Sequence, residues 1–401
     1  MKQSPESVGH QGTTRDLLAV AALFVTNGLA VGVFGGSLPG LRDHLSLEPG
    51  HLVGVLVAAA IFAVASMNLS GPLADRIGAR GPSLVGGAGM AMGTVVMGAA
   101  GDYPTLVAGA AIFGLGNGAM DVSMNAHGVS VEQARGRSVM SRLHASFSIG
   151  NLLGALVVVV LGALLVADVT RWSLWGTALI LCLLLASLVT TTPQSPPRAG
   201  TGEGGGRGKV PAVAWLLAAM AVCFGLTEGT AVDWSSLHVT DVGEVSPSSG
   251  AWGLACVAGF MVVIRLAGDA VVEWLGRATV VRGGSACALL GYLFTAFTSG
   301  LPLILLGWCL VGLGVGLIAP QIYGLAGHIG GGRGLALVVS FGYASFLVGP
   351  AVIGFAAAHS DLQRAMLVPV ITAVGLIVMS ARLPANPTDP PDPTDPPDPE
   401  P

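Results

Sequence analysis

The sequence predicts an all-α membrane protein: twelve transmembrane helices arranged as two pseudo-symmetric six-helix bundles. Three observations carry that expectation. The 401 residues are 52% hydrophobic and only 10% charged, with a mean hydropathy of +0.75. A soluble domain carries about 25% charged residues, so most of this chain's surface must face lipid. The apolar residues fall in twelve runs, each near the roughly 20 residues a helix needs to cross a bilayer. The runs also repeat: "GLGNG" at 114–118 returns as "GLGVG" at 312–316, and "ASFSIG" at 145–150 returns as "ASFLVG" at 344–349.

In chain order the expected spans are 17–40, 51–72, 82–100, 104–128, 138–166, 172–191, 211–238, 249–271, 280–299, 301–328, 335–357 and 363–382. The breaks carry turn residues, as in "LEPG" at 47–50, "GDYP" at 101–104 and "TSGLP" at 298–302. The 60 glycines, scattered through apolar runs, suit close helix–helix approach. Residues 1–16 are polar and balanced in charge, and the apolar run behind them is long enough to span, so it is expected to be a first membrane helix and not a cleaved leader. The division is therefore an N-terminal segment 1–16, a first bundle 17–191, a Pro/Gly linker 192–210, a second bundle 211–383 and a Pro/Asp-rich tail 384–401. The tail holds four Asp and one Glu against a net charge of −4 for the whole chain, so the body is near neutral and charge points to no nucleic-acid partner.

Basic residues set the expected orientation. With the N-terminus in the cytoplasm, only Arg42, Arg171 and Arg364 of the 18 Lys and Arg fall on the far side. Both termini and the linker are then cytoplasmic, in a multi-pass protein of the cell membrane. The cysteines, Cys182, Cys223, Cys256, Cys287 and Cys309, sit singly in apolar runs and indicate neither disulfides nor a metal site. No phosphate loop, zinc-protease motif or nucleotide fingerprint occurs, so neither an enzyme nor a cofactor is expected.

Extending the repeat, "GPLADRIGAR" at 71–80 aligns with "DAVVEWLGRA" at 269–278, which sets Asp75 on Glu273 and Gly78 on Gly276. Duplicated six-helix halves are a common architecture of secondary transporters, with the substrate site between them. The "GPLADRIGAR" stretch resembles the signature loop of the major facilitator superfamily. The stretch from "GNGAMDVSMNAHG" to "HASFSIG", with "EGTAVDWSS" later, resembles its fucose-permease-like branch. The resemblance implies alternating access, with helices 1 and 7 lining the cavity. It also implies a gating loop of Gly71, Asp75, Arg76, Gly78 and Arg80, mirrored by Asp269, Glu273, Gly276 and Arg277. In that arrangement Asp75 faces the start of helix 11 near Gly334 and latches the cytoplasmic side, since a carboxylate is favoured at a helix N-terminus. Glu273 stands opposite the start of helix 5, with Trp274 where the first copy has Arg76.

Polar residues inside the spans mark the candidate cavity. Asn117, Asp121 and Asn125 recur at i, i+4 and i+8 and share one helix face. A charged Asp near mid-membrane costs about 2.5–3.5 kcal/mol and faces water or a partner. His144, with Arg142 just below it, is placed at a similar depth on helix 5, where it could pair with Asp121 and relay a proton; the alternative is a structural cluster tying helices 4 and 5. Glu228 lies deep in helix 7, aligned with Asn27 of helix 1, and Asp233 lies nearer the interface beside Trp234, a candidate belt residue. Gln321 and Tyr323 on helix 10 complete the set. The expected function is a monomeric secondary transporter for a small polar solute, sugar-like in class, coupled to protons. The alternative is a proton-driven exporter of a drug or secondary metabolite. It is weakened because helix 5, "SIGNLLGALVV", lacks the Gly-Pro element of many drug–proton antiporters.

Overall fold

Helices account for nearly all of the described residues in a computed structural model that describes residues 13–136, 139–165, 167–192 and 211–383. The N-terminal segment up to residue 12, the linker from 193 and the tail from 384 lie outside the described residues. The first bundle holds α1 (Thr14–His44), α2 (Pro49–Ile77), α3 (Arg80–Gly98), α4 (Tyr103–Arg135), α5 (Met140–Leu164) and α6 (Val169–Thr191). The second holds α7 (Ala212–Val242), α8 (Pro247–Gly250), α9 (Trp252–Leu266), α10 (Gly268–Leu275), α11 (Arg277–Phe297), α12 (Leu301–Val315), α13 (Ile318–His359), α14 (Leu362–Ala365) and α15 (Leu367–Ser380).

Local chemistry sets the helix ends. The Thr13 side chain accepts from the Asp16 N–H while Asp16 accepts from the Thr13 N–H, a reciprocal cap that starts α1 three residues before the expected edge. Asp102 caps α4, accepting from the Thr105 N–H at 2.8 Å. The Thr105 side chain, and then its N–H, hold the Asp102 carboxyl below the usual aspartate range. The α2–α3 turn ends on Gly78 at φ 86°, ψ 155°, and the α10–α11 turn on Gly276 at φ 76°, ψ 155°. These backbones match across the repeat and require glycine.

Eleven helical stretches are long and apolar enough to cross a membrane. Among the twelve expected spans, α3 is the exception. Its 19 residues include Gly86, Gly87, Gly89 and Gly93, which lower its hydropathy; Gly86, Gly89 and Gly93 let it lie directly on α4, and Gly87 meets Leu185 of α6. A Cβ at Gly86 would come within 2.6 Å of the Met120 amide, and one at Gly93 within 2.6 Å of the Phe113 amide. The long α13 contains part of one span, Leu301–Ile329, and all of the next, Gly334–His359. It folds back on itself, with Tyr323 against Gly342 and Ala326 against Gly334.

The repeat is visible in packing as well as in turns. A Cβ on Gly114 would run into the carbonyl of Ala59, and a Cβ on Gly312 into that of Val257. Gly116 abuts Gly86 as Gly314 abuts Gly284. Each pair is one repeat apart from its copy, so glycine at these positions is what lets α4 meet α2 and α3, and α12 meet α9 and α11.

Between the bundles α5 packs on α9, α2 on α13, and α1 on α7 and α8. At the end where α1 and α7 finish, Arg42 and Asp241 form a two-pronged ion pair across the bundles. Near it, Gly36 lies beside Ala251 and Gly162 beside Ser248. At the opposite end Asp75, Arg76, Asp269 and Glu273 are not buried. Among the described residues Asp75 makes no ion pair, and Gly334, where the expected helix begins, approaches Ala214 of α7 and its own Ala326.

Candidate substrate cavity

Helices α1, α2, α4, α5, α7 and α13 enclose a cavity of about 280 Å³ between the bundles. Close packing of small residues determines which side chains reach it. Gly28 and Gly32 of α1 lie on the backbone of α5 at Phe147 and Asn151, which leaves Asn27 facing α4. Asn27 donates to the Asn117 side-chain oxygen at 3.1 Å. One turn on, Asp121 is held from both bundles. The Asn125 amide donates to its backbone and side-chain oxygens at 2.8 and 3.3 Å, and the Tyr343 hydroxyl of α13 donates to its other carboxylate oxygen at 3.4 Å.

On α7 the cavity receives Glu228, Gly229, Val232 and Asp233. Glu228 pairs with Arg265 of α9 at 3.2 Å. The Arg265 guanidinium also donates to the Gly316 carbonyl at 3.1 Å and, on α5, to the Ser148 hydroxyl at 2.5 Å and the His144 carbonyl at 3.4 Å. This one side chain therefore connects α7, α9, α5 and the α12–α13 junction. Beside it, the buried Tyr292 hydroxyl donates to the Thr227 carbonyl and fixes the turn of α7 that carries Glu228. Asp233 lines the cavity and makes no hydrogen bond or ion pair among the described residues. The remaining walls are largely apolar, with Phe34, Phe113, Phe147 and Phe346.

Of the residues singled out in the sequence, Asn27, Asn117, Asp121, Glu228 and Asp233 share this cavity. Asn125 stands behind Asp121. The structure does not bring His144 to Asp121. The reason is packing: α5 lies on α1 and α9 and barely touches α4, so the imidazole stacks edge-on with Phe24 at 5.5 Å. Arg142 is exposed. Gln321 accepts from Arg277 at 3.2 Å, away from the cavity, and Tyr323 lies against Gly342. Trp234 is 2% exposed, packed inside the protein and not in an interfacial belt.

Sequence reasoning missed Arg265 and Tyr343. Arg265 stands four residues before Asp269 and passed for one more cytoplasmic-edge cation. The available signal was its place at the end of the apolar run "VAGFMVVI", a full turn inside the loop. Tyr343, in "SFGYASF", was the one hydroxyl-bearing aromatic in its span, but only the fold-back of α13 and the docking of the two bundles bring it to Asp121.

Residues 20–331 match the family described as Major Facilitator Superfamily. The chain is 30% identical over 359 residues to an uncharacterized MFS-type transporter of Yersinia pestis, covering 88% of this chain and 92% of that protein. Among solved structures, a point mutant of the nucleoside transporter NupG superposes with a TM-score of 0.72 at 13% identity, over 91% of this chain and 98% of that one. A bacterial homolog of the human lysosomal transporter Spinster superposes with a TM-score of 0.68 at 15% identity, over 91% and 95% of the two chains. At these identities the two structures speak for the shared fold alone.

Proposed function

Since the chain belongs to the Major Facilitator Superfamily and is a multi-pass membrane transporter, not an enzyme, we propose that it moves a small polar solute by proton-coupled alternating access. The observation that carries this reading is Asp121. A carboxylate of the first bundle is held by Tyr343 of the second across a cavity between them. Any motion that opens the bundles at this level exchanges Tyr343 for water, solute or a proton, which is the link a coupled carrier needs.

The Lys and Arg distribution supports cytoplasmic termini in the plasma membrane, with the Arg42–Asp241 end outside. In that orientation the state described is shut on the outside by the ion pair and by α8. At the inner end Asp75 and Glu273 make no ion pair among the described residues, which suits a state open on that side. Together the two ends suit the exchanging gates of alternating access in a monomer. A sugar-like solute follows from the resemblance to the fucose-permease-like branch. The second reading, proton-driven export of a drug or secondary metabolite, draws on the four phenylalanines in the walls.

The test uses purified protein in liposomes with an imposed pH gradient. Wild type accumulates solute against its gradient. Asp121→Asn loses accumulation, while counterflow at equal pH persists. Accumulation by Asp121→Asn at the wild-type level, normalised to folded protein, would remove Asp121 from coupling.

A further inference from the structure

The charges around the cavity do not balance. Three carboxylates face it: Asp121 from α4, and Glu228 and Asp233 from α7. One guanidinium, Arg265, offsets them, and it is already committed to Glu228, Ser148 and Gly316. Asp121 has only neutral donors, Asn125 and Tyr343, and Asp233 has no partner among the described residues. The acids are also stacked. At 1.5 Å per residue, Asp233 lies about 7 Å along α7 from Glu228, toward the Asp241 end. Asp121 lies deeper still, toward the end where α4 finishes.

The walls add a second, independent feature. Phe34 and Phe113 pack at 4.9 Å between ring centroids, and Phe147 and Phe346 face the same space. Aromatic faces attract cations and offer nothing comparable to anions. A neutral solute would leave Asp233 without a counter-charge, and an anionic one would meet no free cation among the described cavity residues. A positively charged group beside Asp233 supplies the partner that acid lacks and uses the aromatic faces.

We propose that the transported solute is an organic cation: a small polar molecule, hydroxylated as the asparagines at one end of the cavity would suit, bearing a protonated amine that Asp233 recognises. This inference rests on the transport reading above and narrows its substrate class. It also gives Asp233 a part in coupling beside Asp121, because a proton on its carboxyl and the amine compete for the same oxygens. Uptake of one then accompanies release of the other.

The experiment compares matched solutes of one ring scaffold and three charges: glucosamine, glucose and glucuronate. A panel of small hydroxylated amines, with ethanolamine and choline, extends the cationic arm. Binding is read by thermal stabilisation of wild type in detergent, and transport by movement in liposomes. The expected result is stabilisation by cationic members alone. Asp233→Asn should weaken it by roughly 30-fold or more, as expected when one side of a desolvated charge pair is removed. Asp233→Glu, which keeps the charge, should restore it and guards against a folding defect in Asp233→Asn, whose monodispersity is checked by gel filtration. Stabilisation by glucose or glucuronate, no response to any cationic member, or undiminished cation binding by Asp233→Asn would each overturn the proposal. Movement of neutral or anionic members would overturn it while leaving the transport reading intact. Cation binding with no movement of any solute would overturn the transport reading and leave the recognition intact.

Discussion

Removing either partner of the Arg265–Glu228 pair should destabilise the protein, and acid should rescue only one of the two variants. The pair is 3.2 Å apart, with side chains 9% and 14% exposed. At an effective dielectric near 20, that separation corresponds to about 5 kcal/mol of attraction, most of it offset by desolvation in the intact pair. In Arg265→Gln the Glu228 carboxylate is left in the protein interior without a counter-charge, a situation that costs about 3–5 kcal/mol. Glu228 can escape by taking up a proton. From an ordinary glutamate value near 4.3, protonation at pH 7 costs about 3.7 kcal/mol, and at pH 5 about 1 kcal/mol. The sign follows directly: the folded variant binds a proton that its unfolded chain does not, so its stability relative to wild type rises as pH falls, by about 2.7 kcal/mol between pH 7 and pH 5. Glu228→Gln strands a guanidinium, which cannot shed its proton, so acid gives it no comparable relief. The double variant Arg265→Gln/Glu228→Gln, with no orphan charge, should be more stable than either single one at pH 7. The assay is the temperature at which half the detergent-solubilised protein loses monodispersity, at both pH values for all four proteins. Singles as stable as wild type at pH 7, or an Arg265→Gln deficit unchanged at pH 5, would refute the reasoning.

The Arg42–Asp241 pair, with side chains 20% and 33% exposed, should stabilise the state closed at that end by about 1–2 kcal/mol, so Asp241→Asn should shift the equilibrium toward opening by roughly 5- to 30-fold. Spin-label distances between the ends of α1 and α7 would report it, and the charge-reversed double variant Arg42→Asp/Asp241→Arg should restore closure. Gly114→Ala and Gly312→Ala should each cost about 1–3 kcal/mol, because the new methyl meets a carbonyl of the neighbouring helix. Gly176→Ala, with open space around it, should be neutral or mildly stabilising in the same thermal assay. The Asp102 cap contributes fully above the ordinary aspartate value and is lost as pH falls through the lowered one, so in wild type the first turn of α4 should keep its pH 7 protection against hydrogen exchange at pH 5. In Asp102→Ala, exchange in that turn should be faster than in wild type at both pH 7 and pH 5.

The membrane fold, the approximate helix edges and the internal repeat were legible because each follows from local properties of the chain. Lipid requires about twenty apolar residues per span, and that requirement is written as hydropathy. The glycines at 78 and 276 are written as glycine because their backbones sit at positive φ. Likewise Asp121 and Glu228 stood out because an acid in an apolar helix is costly wherever its neighbours lie. What the sequence could not determine was which residues those acids meet. Asp121 and His144 are close in the chain and on consecutive helices, yet α5 docks on α1 through Gly28, Gly32 and Gly150 and packs on α9 as well, and the imidazole is carried away. The partners that Asp121 and Glu228 do find, Tyr343 and Arg265, lie 222 and 37 residues away. Side-chain pairing at that range is decided by how whole helices pack, a sum of many small steric contacts that no single motif encodes.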